Sequence, residues 1–406
     1  LNEAAKLSQI VSDYETAFRV LDKALRLSTK QNLVAEKTIS LRLYALISRQ
    51  KGKKVDIENS QKFSEEAVKL SETVDSPNAR GYANLSAGIH TFYHGKLDNA
   101  KDFFEKANSF VLQTSDIELI TQVLLFNGFA AGRDGNSGKG LKSMQLALQK
   151  SEESGFQRGK ALSYFGIGFL NMLLNEKQKA IGFYQKAEEI FPEDFEWLER
   201  AKLYNNFGVI CEEYGDLELA EIYREKGYLF YQKANYLFGE IATLPSLARI
   251  KSLKGDFYGA KKLYEQIIIL AKENNNNFHI AVAKEGLANL DLKNENYDSA
   301  IKYYQEALEV YKNIGVKLPR VENNLGKVYE KKGDYIAAKA FYTKALTMNT
   351  QFRDRLPASE NLFNLAKLNL SEGNTETSIE QINQSIEITE TLYSDSMSRT
   401  PSASAQ

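Results

Sequence analysis

Small residues recur along this chain at a period of about 40 residues, and this repeat restricts the possible folds more than any other feature. The first series of small residues is Ala5, Ala45, Gly88, Gly128, Gly168, Gly208, Ala248, Ala288, Gly326 and Ala366. A second series follows twelve residues later and a third seven residues after that, with three extra residues in the second unit. Self-similarity at a fixed period is the signature of a repeat protein. We therefore predict ten copies of one structural unit, with a turn between Lys53 and Asn59 accommodating the extra residues.

Each unit is predicted to form two helices joined by a tight turn. In the ninth unit Leu325 and Val328 follow helical spacing, and Gly333-Asp334 then interrupts the pattern. Glycine can end a helix in a left-handed conformation, and aspartate can cap the next helix. An aromatic residue also recurs at one equivalent position, where it would fill the space between paired helices. Its members are Phe104, Tyr184, Tyr264, Tyr304 and Tyr342.

This pattern resembles the tetratricopeptide repeat family. The residues that carry the resemblance in the ninth unit are Leu325, Gly326, Tyr329, Gly333, Asp334, Tyr335, Ala338, Tyr342 and Ala345. The usual period of the family is about 34 residues, so the period here is similar to the extended subset in kinesin light chains, Pins-type polarity adaptors and bacterial peptide-pheromone receptors. HEAT and armadillo repeats share the longer period but lack the Gly-Asp break.

The resemblance implies an all-α fold, a right-handed α-solenoid superhelix of about ten helix–turn–helix repeats. We expect one continuous domain over residues 1–393, whose first repeat is truncated by a few residues. The Ser-rich segment 394–406 is expected to be a disordered tail or linker. Pro245 lies in the middle of a predicted helix, where it removes an amide donor and should bend the unit.

Composition excludes several classes of protein. The chain has 52 Lys and Arg residues against 53 Asp and Glu residues, so it lacks the basic surface that nucleic-acid binding requires. No segment approaches the roughly 18 consecutive apolar residues of a membrane span, so we expect no direct membrane insertion. A single cysteine rules out an intramolecular disulfide framework. We expect a cytoplasmic protein. Because the chain starts without methionine, a removed signal peptide stays an alternative. The oligomeric state is not predicted.

Three motifs could carry chemistry, and each has a simpler structural interpretation. His90 and His94 have the spacing of two metal ligands on a helix, but His90 replaces an apolar core residue in its unit. The glycine-rich segment 132–140 lacks the Ser or Thr that follows Lys in a phosphate-binding loop, and it coincides with a repeat turn. Cys211 occupies an interior helix position. We therefore predict no catalytic site, no metal and no cofactor.

In the tetratricopeptide repeat family the first helix of each pair lines the concave surface. We number each unit so that its member of the first small-residue series is position 8. Positions 2, 5, 9 and 12 then form one stripe on the first helix, and position 6 lies beside it. Units three to five place apolar candidates there: Tyr82, Leu85, Ile89, Phe92, Phe129, Phe165, Phe169 and Met172. Units six to ten place polar candidates there: Asn205, Asn206, Arg249, Asn289, Asn323, Asn324, Lys327, Asn364 and Lys367.

Two interpretations of the apolar candidates stay open at this point. They would either form a groove for an amphipathic helix or peptide, or pack between neighbouring first helices. The polar candidates include Asn206, Asn324 and Asn364 at one equivalent position, where side-chain amides can both donate to and accept from a peptide backbone. Members of the extended subset are similar in using such an Asn ladder.

The sequence thus predicts a non-catalytic interaction scaffold that binds a protein or peptide ligand in its concave groove. The alternative is the regulatory or sensor region of a larger bacterial signalling protein, with a kinase, caspase-like or transcriptional effector outside this chain.

Overall fold

The computed structural model describes residues 1–10, 12–51, 54–192 and 196–399, and these residues form helices and turns without a β-strand. The helices of this described part are α1 Asn2–Ile10, α2 Tyr14–Lys30, α3 Val34–Lys51, α4 Lys54–Ser71, α5 Pro77–Tyr93, α6 Leu97–Val111, α7 Ile117–Arg133, α8 Ser137–Glu153, α9 Gln157–Leu173, α10 Lys177–Ile190, α11 Trp197–Glu213, α12 Leu217–Lys233, α13 Leu237–Leu253, α14 Phe257–Glu273, α15 Asn277–Lys293, α16 Tyr297–Asn313, α17 Pro319–Lys332, α18 Tyr335–Phe352, α19 Arg355–Ser371 and α20 Thr375–Arg399. Successive helices pack in pairs. The predicted all-α solenoid of helix pairs is confirmed.

The three series of small residues lie where the paired helices meet. Every member of the three series is buried. A Cβ atom added to Gly168 would lie 2.6 Å from the ring of Tyr184, and one added to Gly88 would lie 2.4 Å from the ring of Phe104. These distances are shorter than van der Waals contact, so glycine allows the aromatic residue of the second helix to pack against the backbone of the first.

The turns within the pairs follow the predicted chemistry. Gly333 has a φ of 84° and ends α17, and the side chain of Asp334 accepts a hydrogen bond of 3.0 Å from the backbone nitrogen of Ala337. Where the turn lacks glycine, Asn175 and Glu295 take the left-handed conformation instead, with φ values of 61° and 60°. Asparagine tolerates this conformation better than most residues.

Two predicted boundaries differ from the structure. The extra residues of the second unit do not enlarge a turn: α4 begins six residues before Ser60, whereas α6 begins three residues before Ala100. Almost one helical turn has therefore been added to α4. At the other end, α20 runs from Thr375 to Arg399, six residues past the boundary that we set at 393. Residues 400–406 lie outside the described part of the chain.

The chain forms two compact units, one from Leu1 to Ile250 and one that begins at Lys251. One continuous domain over residues 1–393 stays a prediction. The division falls within α13, five residues after Pro245, and this helix runs through the proline from Leu237 to Leu253. In the part of the chain that the structure describes, no helix combines the length and apolar character needed to cross a membrane.

Candidate functional site

The candidate site is the stripe defined above, at positions 2, 5, 9 and 12 of the first helices with position 6 beside it. These helices are α1, α3 and the other odd-numbered helices to α19. The apolar candidates and Asn205, Asn206 and Arg249 belong to the first compact unit, and the other polar candidates belong to the second.

Most apolar candidates are core residues. Tyr82, Leu85, Ile89, Phe92 and Phe165 are buried. Phe129, Phe169 and Met172 are only partly buried. The interpretation as packing between first helices therefore holds for the five buried residues, while three side chains keep an exposed surface.

The two half-buried rings also contact each other. The ring centroids of Phe129 in α7 and Phe169 in α9 lie 5.7 Å apart at an angle of 65°. Phe126 lies edge-on to Phe129 at 5.9 Å and connects this pair to the rest of the core. Edge-to-face contacts of this kind stabilise beyond the area they bury, so this part of the stripe serves both as packing and as exposed apolar surface.

Polar candidates of the second unit bridge neighbouring first helices. Lys327 in α17 donates a 2.7 Å hydrogen bond to Glu360 in α19, and Asn323 donates to the same carboxylate at 3.3 Å. Burial raises the pKa of the Glu360 carboxyl group. The contacts with Lys327 and Asn323 lower it by more in total, so the net pKa is below its ordinary value. Lys367 in α19 reaches back to Glu330 in α17 at 3.3 Å. The predicted polar surface is therefore a set of paired side chains rather than isolated donors.

The three residues of the Asn ladder also have partners. The side-chain amide of Asn206 donates to the hydroxyl of Tyr184 at 3.2 Å, and that of Asn324 donates to Asn289 at 3.5 Å. Asn364 is buried and donates to Asn323 at 3.4 Å. Asn206 and Asn324 are partly exposed, whereas Asn364 is not.

The sixth repeat contains a buried ion pair that the sequence analysis missed. Arg224 stands sixteen residues after Gly208, where other repeats have the packing aromatic residue, and its Nε donates to Glu212 at 2.8 Å. Arg224 also donates to Asn205, and Arg249 forms an ion pair with Glu212. The predicted residues Asn205 and Arg249 are thus connected through the guanidinium of Arg224 and the carboxylate of Glu212. The departure of Arg224 from the aromatic pattern was the available sequence signal.

Two further cations on the stripe were missed because only units three to ten were searched. Arg42 and Arg49 occupy positions 5 and 12 of the second unit, on α3. The Cζ atom of Arg42 lies 4.0 Å from the ring centroid of Tyr82, and that of Arg49 lies 4.2 Å from that of Tyr93. Extending the same register to the second unit would have found both.

His90 and the glycine-rich segment take the places that their structural interpretations predicted, and Cys211 is partly buried. His90 is buried, its Nδ1 lies 3.1 Å from the hydroxyl oxygen of Ser60, and its ring stacks on His94 at 4.2 Å. Burial, followed by the proximity of His94, lowers the pKa of His90 to about 4. Gly135 forms the turn between α7 and α8 with a φ of 80°. Among the described residues, no three His, Cys, Asp or Glu side chains are grouped to hold a metal ion.

Comparison with known proteins agrees with this architecture. A sequence model of the tetratricopeptide repeat matches residues 240–313 and 318–391. The recognition of the tetratricopeptide repeat in this chain is thereby confirmed. A search of curated protein sequences finds no significant match.

Solved structures similar to this chain include two structures of NprR and one of a Rap protein. The apo form of the quorum sensor NprR from B. thuringiensis is 14% identical, with a TM-score of 0.61, covering 85% of this chain and 97% of that one. A Rap protein complexed with competence and sporulation factor is 14% identical, with a TM-score of 0.60, covering 87% and 97%. NprR in complex with its cognate peptide NprX is 17% identical, with a TM-score of 0.50, covering 72% and 84%. At these identities the likeness establishes the fold.

Proposed function

We propose that this chain is a non-catalytic scaffold that binds a peptide or an extended protein segment along the stripe. The observation that carries the proposal is that successive first helices place partly exposed apolar side chains and a hydrogen-bonding side chain on their equivalent faces. Phe129, Phe169 and Met172 supply the first, and Asn206 in the next first helix supplies the second.

The two kinds of side chain suit the two parts of a peptide. Partly exposed rings gain about 25 cal/mol for each Å² of apolar surface that a ligand covers, and such rings are common anchors at interfaces. An amide such as that of Asn206 can donate to and accept from a peptide backbone whatever its sequence. Two proteins of similar fold have been solved in complexes, the Rap protein with competence and sporulation factor and NprR with its cognate peptide NprX, which supports peptide binding here.

A random-peptide display selection against the full chain tests the proposal. Selected peptides are then measured by fluorescence anisotropy against the wild type and against Asn206→Ala, which removes a partly exposed amide from the stripe. The matched control is Asn99→Ala, which removes an exposed asparagine from a second helix. We expect Asn206→Ala to weaken binding about fivefold, since a lost hydrogen bond costs about 1 kcal/mol, and the control to bind like the wild type.

A photo-crosslinking measurement locates the bound peptide without a substitution in the stripe, because Asn206 also donates to the hydroxyl of Tyr184 and its loss could affect packing. Selected peptides carrying a photoreactive group should attach to odd-numbered helices of the unmodified chain. Attachment to even-numbered helices, or equal binding by all three proteins, would place recognition elsewhere. Failure to select any peptide above background would contradict the proposed function itself.

A further inference from the structure

A groove lies between α6 of the third repeat and α8 of the fourth repeat. Its volume is about 670 Å³. Its floor is formed by α7, largely through the apolar residues Ile120, Leu124 and Ala131, and its walls are formed by α6 and α8. No residue at a stripe position of α7 lines the groove. The groove therefore opens on a different face of α7 from the candidate site.

The fourth repeat lacks an aromatic ring that most other repeats place at this level. Ser143 stands directly before Met144 in α8, and six other repeats carry a ring at the equivalent position. These residues are Phe63, Phe103, Phe183, Tyr223, Tyr303 and Phe341. Ser143 lines the groove, and its hydroxyl donates to the carbonyl oxygen of Leu124 at 2.8 Å. The small side chain leaves open the space that a ring fills in those repeats.

A second substitution widens the same space. Asn127 stands directly before Gly128, at a position that is Leu, Ile or Phe in each of the six repeats that follow. In the sixth repeat the two equivalent residues are in contact, since the ring centroids of Phe207 and Tyr223 lie 5.0 Å apart. Asn127 and Ser143 replace such a pair with two smaller polar side chains, and both line the groove.

The groove has the length of a short helix. Its lining residues on α8 run from Lys139 to Lys150, which is about 16 Å, or three helical turns. Apolar side chains are also exposed along it, because Leu112 at the end of α6 is 86% exposed and Leu146 on α8 is 42% exposed. A groove of this kind can accept the apolar face of an amphipathic helix.

The lining carries more positive than negative charge. Its charged residues are Lys101, Lys139, Lys150, Glu105 and Asp134. Lys101 is paired with Asp134 at 3.0 Å, and Lys150 is paired with Glu153 on its own helix at 2.9 Å. Lys139, in the first turn of α8, forms no ion pair within the described residues. Complementary charge steers association, so this end of the groove favours an acidic side chain of a ligand.

We propose that the groove docks an amphipathic helix of a partner protein, whose aromatic side chain takes the place that Ser143 leaves open. Lys139 lies four residues before Ser143 on α8. An acidic residue three or four positions from the aromatic residue of the partner helix therefore meets Lys139. The amide of Asn127 can donate to the hydroxyl of a tyrosine. This surface is separate from the stripe, so the inference goes beyond the proposed function.

A phage library of helix-forming peptides of about 15 residues, long enough to hold a helix in water and randomised along one face, tests the docking. The full chain is the target, and soluble Ser143→Phe is present in excess as a competitor. The competitor carries the ring that six other repeats have, so it removes peptides that bind outside the groove, including those of the stripe. We expect the remaining peptides to share an aromatic residue with an acidic residue three or four positions away.

Fluorescence anisotropy then measures these peptides against single variants. Ser143→Phe should weaken binding about tenfold or more, as for an aromatic anchor at an interface. Gln145→Phe is the matched control, because it adds the same ring at an exposed position of α8 outside the lining, and it should bind like the wild type. Lys139→Glu should weaken binding about threefold, as for an exposed ion pair, but should not weaken peptides whose acidic residue is replaced by glutamine.

Melting temperatures confirm that each variant is folded. Should Ser143→Phe unfold, Leu146→Glu replaces it as competitor and as test variant, because it places a charge in the lining at a partly exposed position. Recovery of no peptide in the presence of the competitor, or equal binding by the wild type and the groove variant, overturns the docking site. Groove-dependent peptides without an aromatic residue overturn its anchor.

Two further outcomes assign the groove or the peptides elsewhere. Sedimentation that shows a dimer of the wild type but a monomer of Ser143→Phe would give the groove to a second copy of this chain and overturn the partner helix. Peptides that Asn206→Ala weakens and Ser143→Phe does not weaken belong to the stripe. Their recovery without the competitor, together with none in its presence, overturns the docking site and leaves the scaffold function standing.

Discussion

The hydroxyl of Tyr14 is hydrogen-bonded to the carbonyl oxygen of Ala234, 220 residues further along the chain. Most other contacts in the first compact unit join neighbouring repeats. This bond joins the first repeat to the sixth, and both groups are buried. The first two helices therefore contact the neighbouring second repeat and also the distant turn that follows α12.

Tyr14→Phe should destabilise the first unit by about 1 kcal/mol. The substitution keeps the ring but leaves the buried carbonyl of Ala234 without this donor. Urea denaturation followed by circular dichroism measures the change, and hydrogen exchange should rise first in α1 and α2. Tyr335→Phe removes an exposed hydroxyl and serves as the control. Unchanged stability and exchange in Tyr14→Phe would show that the bond contributes nothing to holding the repeats together.

Gly168→Ala should destabilise the chain by about 1–3 kcal/mol, because the new Cβ would meet the ring of Tyr184 at 2.6 Å and overpack the pair α9–α10. Gly182 provides a control within the same pair, since nothing lies within 4 Å of its added Cβ. Gly182→Ala should stabilise by up to about 1 kcal/mol through helix propensity. Thermal denaturation of both variants tests the packing. Equal effects at the two positions would contradict the role of Gly168 as a spacer.

The repeat made most of the fold predictable from sequence. Gly168 and Tyr184 recur in equivalent form in other units, so their contact could be anticipated from the period alone. Contacts that occur only once in the chain could not be predicted from the period. The bond from Tyr14 to Ala234 depends on how far the solenoid turns over five repeats, a quantity that no local pattern encodes.

The hydrogen-bond partners of the candidate site residues could not be predicted from the sequence. The helical register predicts that Lys327 lies on the stripe. Its pairing with Glu360 depends on which rotamers meet across neighbouring repeats, and periodicity does not determine rotamers. The exposed fraction of Phe129 likewise depends on the ring of Phe169, in the following repeat.

The stability of the first unit should fall between about pH 6.5 and pH 4 because of His90. Burial, with the added effect of His94, lowers the pKa of His90 to about 4 in the folded chain, against an ordinary value of 6.5. The unfolded chain therefore binds a proton in this range while the folded chain does not, so lower pH favours unfolding, by roughly 3 kcal/mol at full extent. Above pH 6.5 His90 is neutral in both states and has no effect.

His90→Gln should remove this part of the pH dependence. Urea denaturation at a series of pH values compares the variant with the wild type, so that the titration of carboxylates cancels. His94→Gln, at an exposed position, is the control and should retain most of the dependence. Parallel curves for His90→Gln and the wild type would show that His90 does not couple stability to pH.

Phe129→Ala and Phe169→Ala separate packing from ligand binding on the stripe. Each substitution should cost less than the roughly 3–5 kcal/mol of a fully buried phenylalanine, because both rings are partly exposed. Their edge-to-face contact at 5.7 Å should appear as a coupling of about 0.5–1.5 kcal/mol in a double-mutant cycle of unfolding free energies. Phe129→Leu keeps an apolar side chain and is the milder control. If the rings also contact a ligand, display-selected peptides should bind the folded Phe169→Ala variant more weakly than Phe129→Leu. Loss of stability with unchanged peptide binding would assign the pair to packing alone.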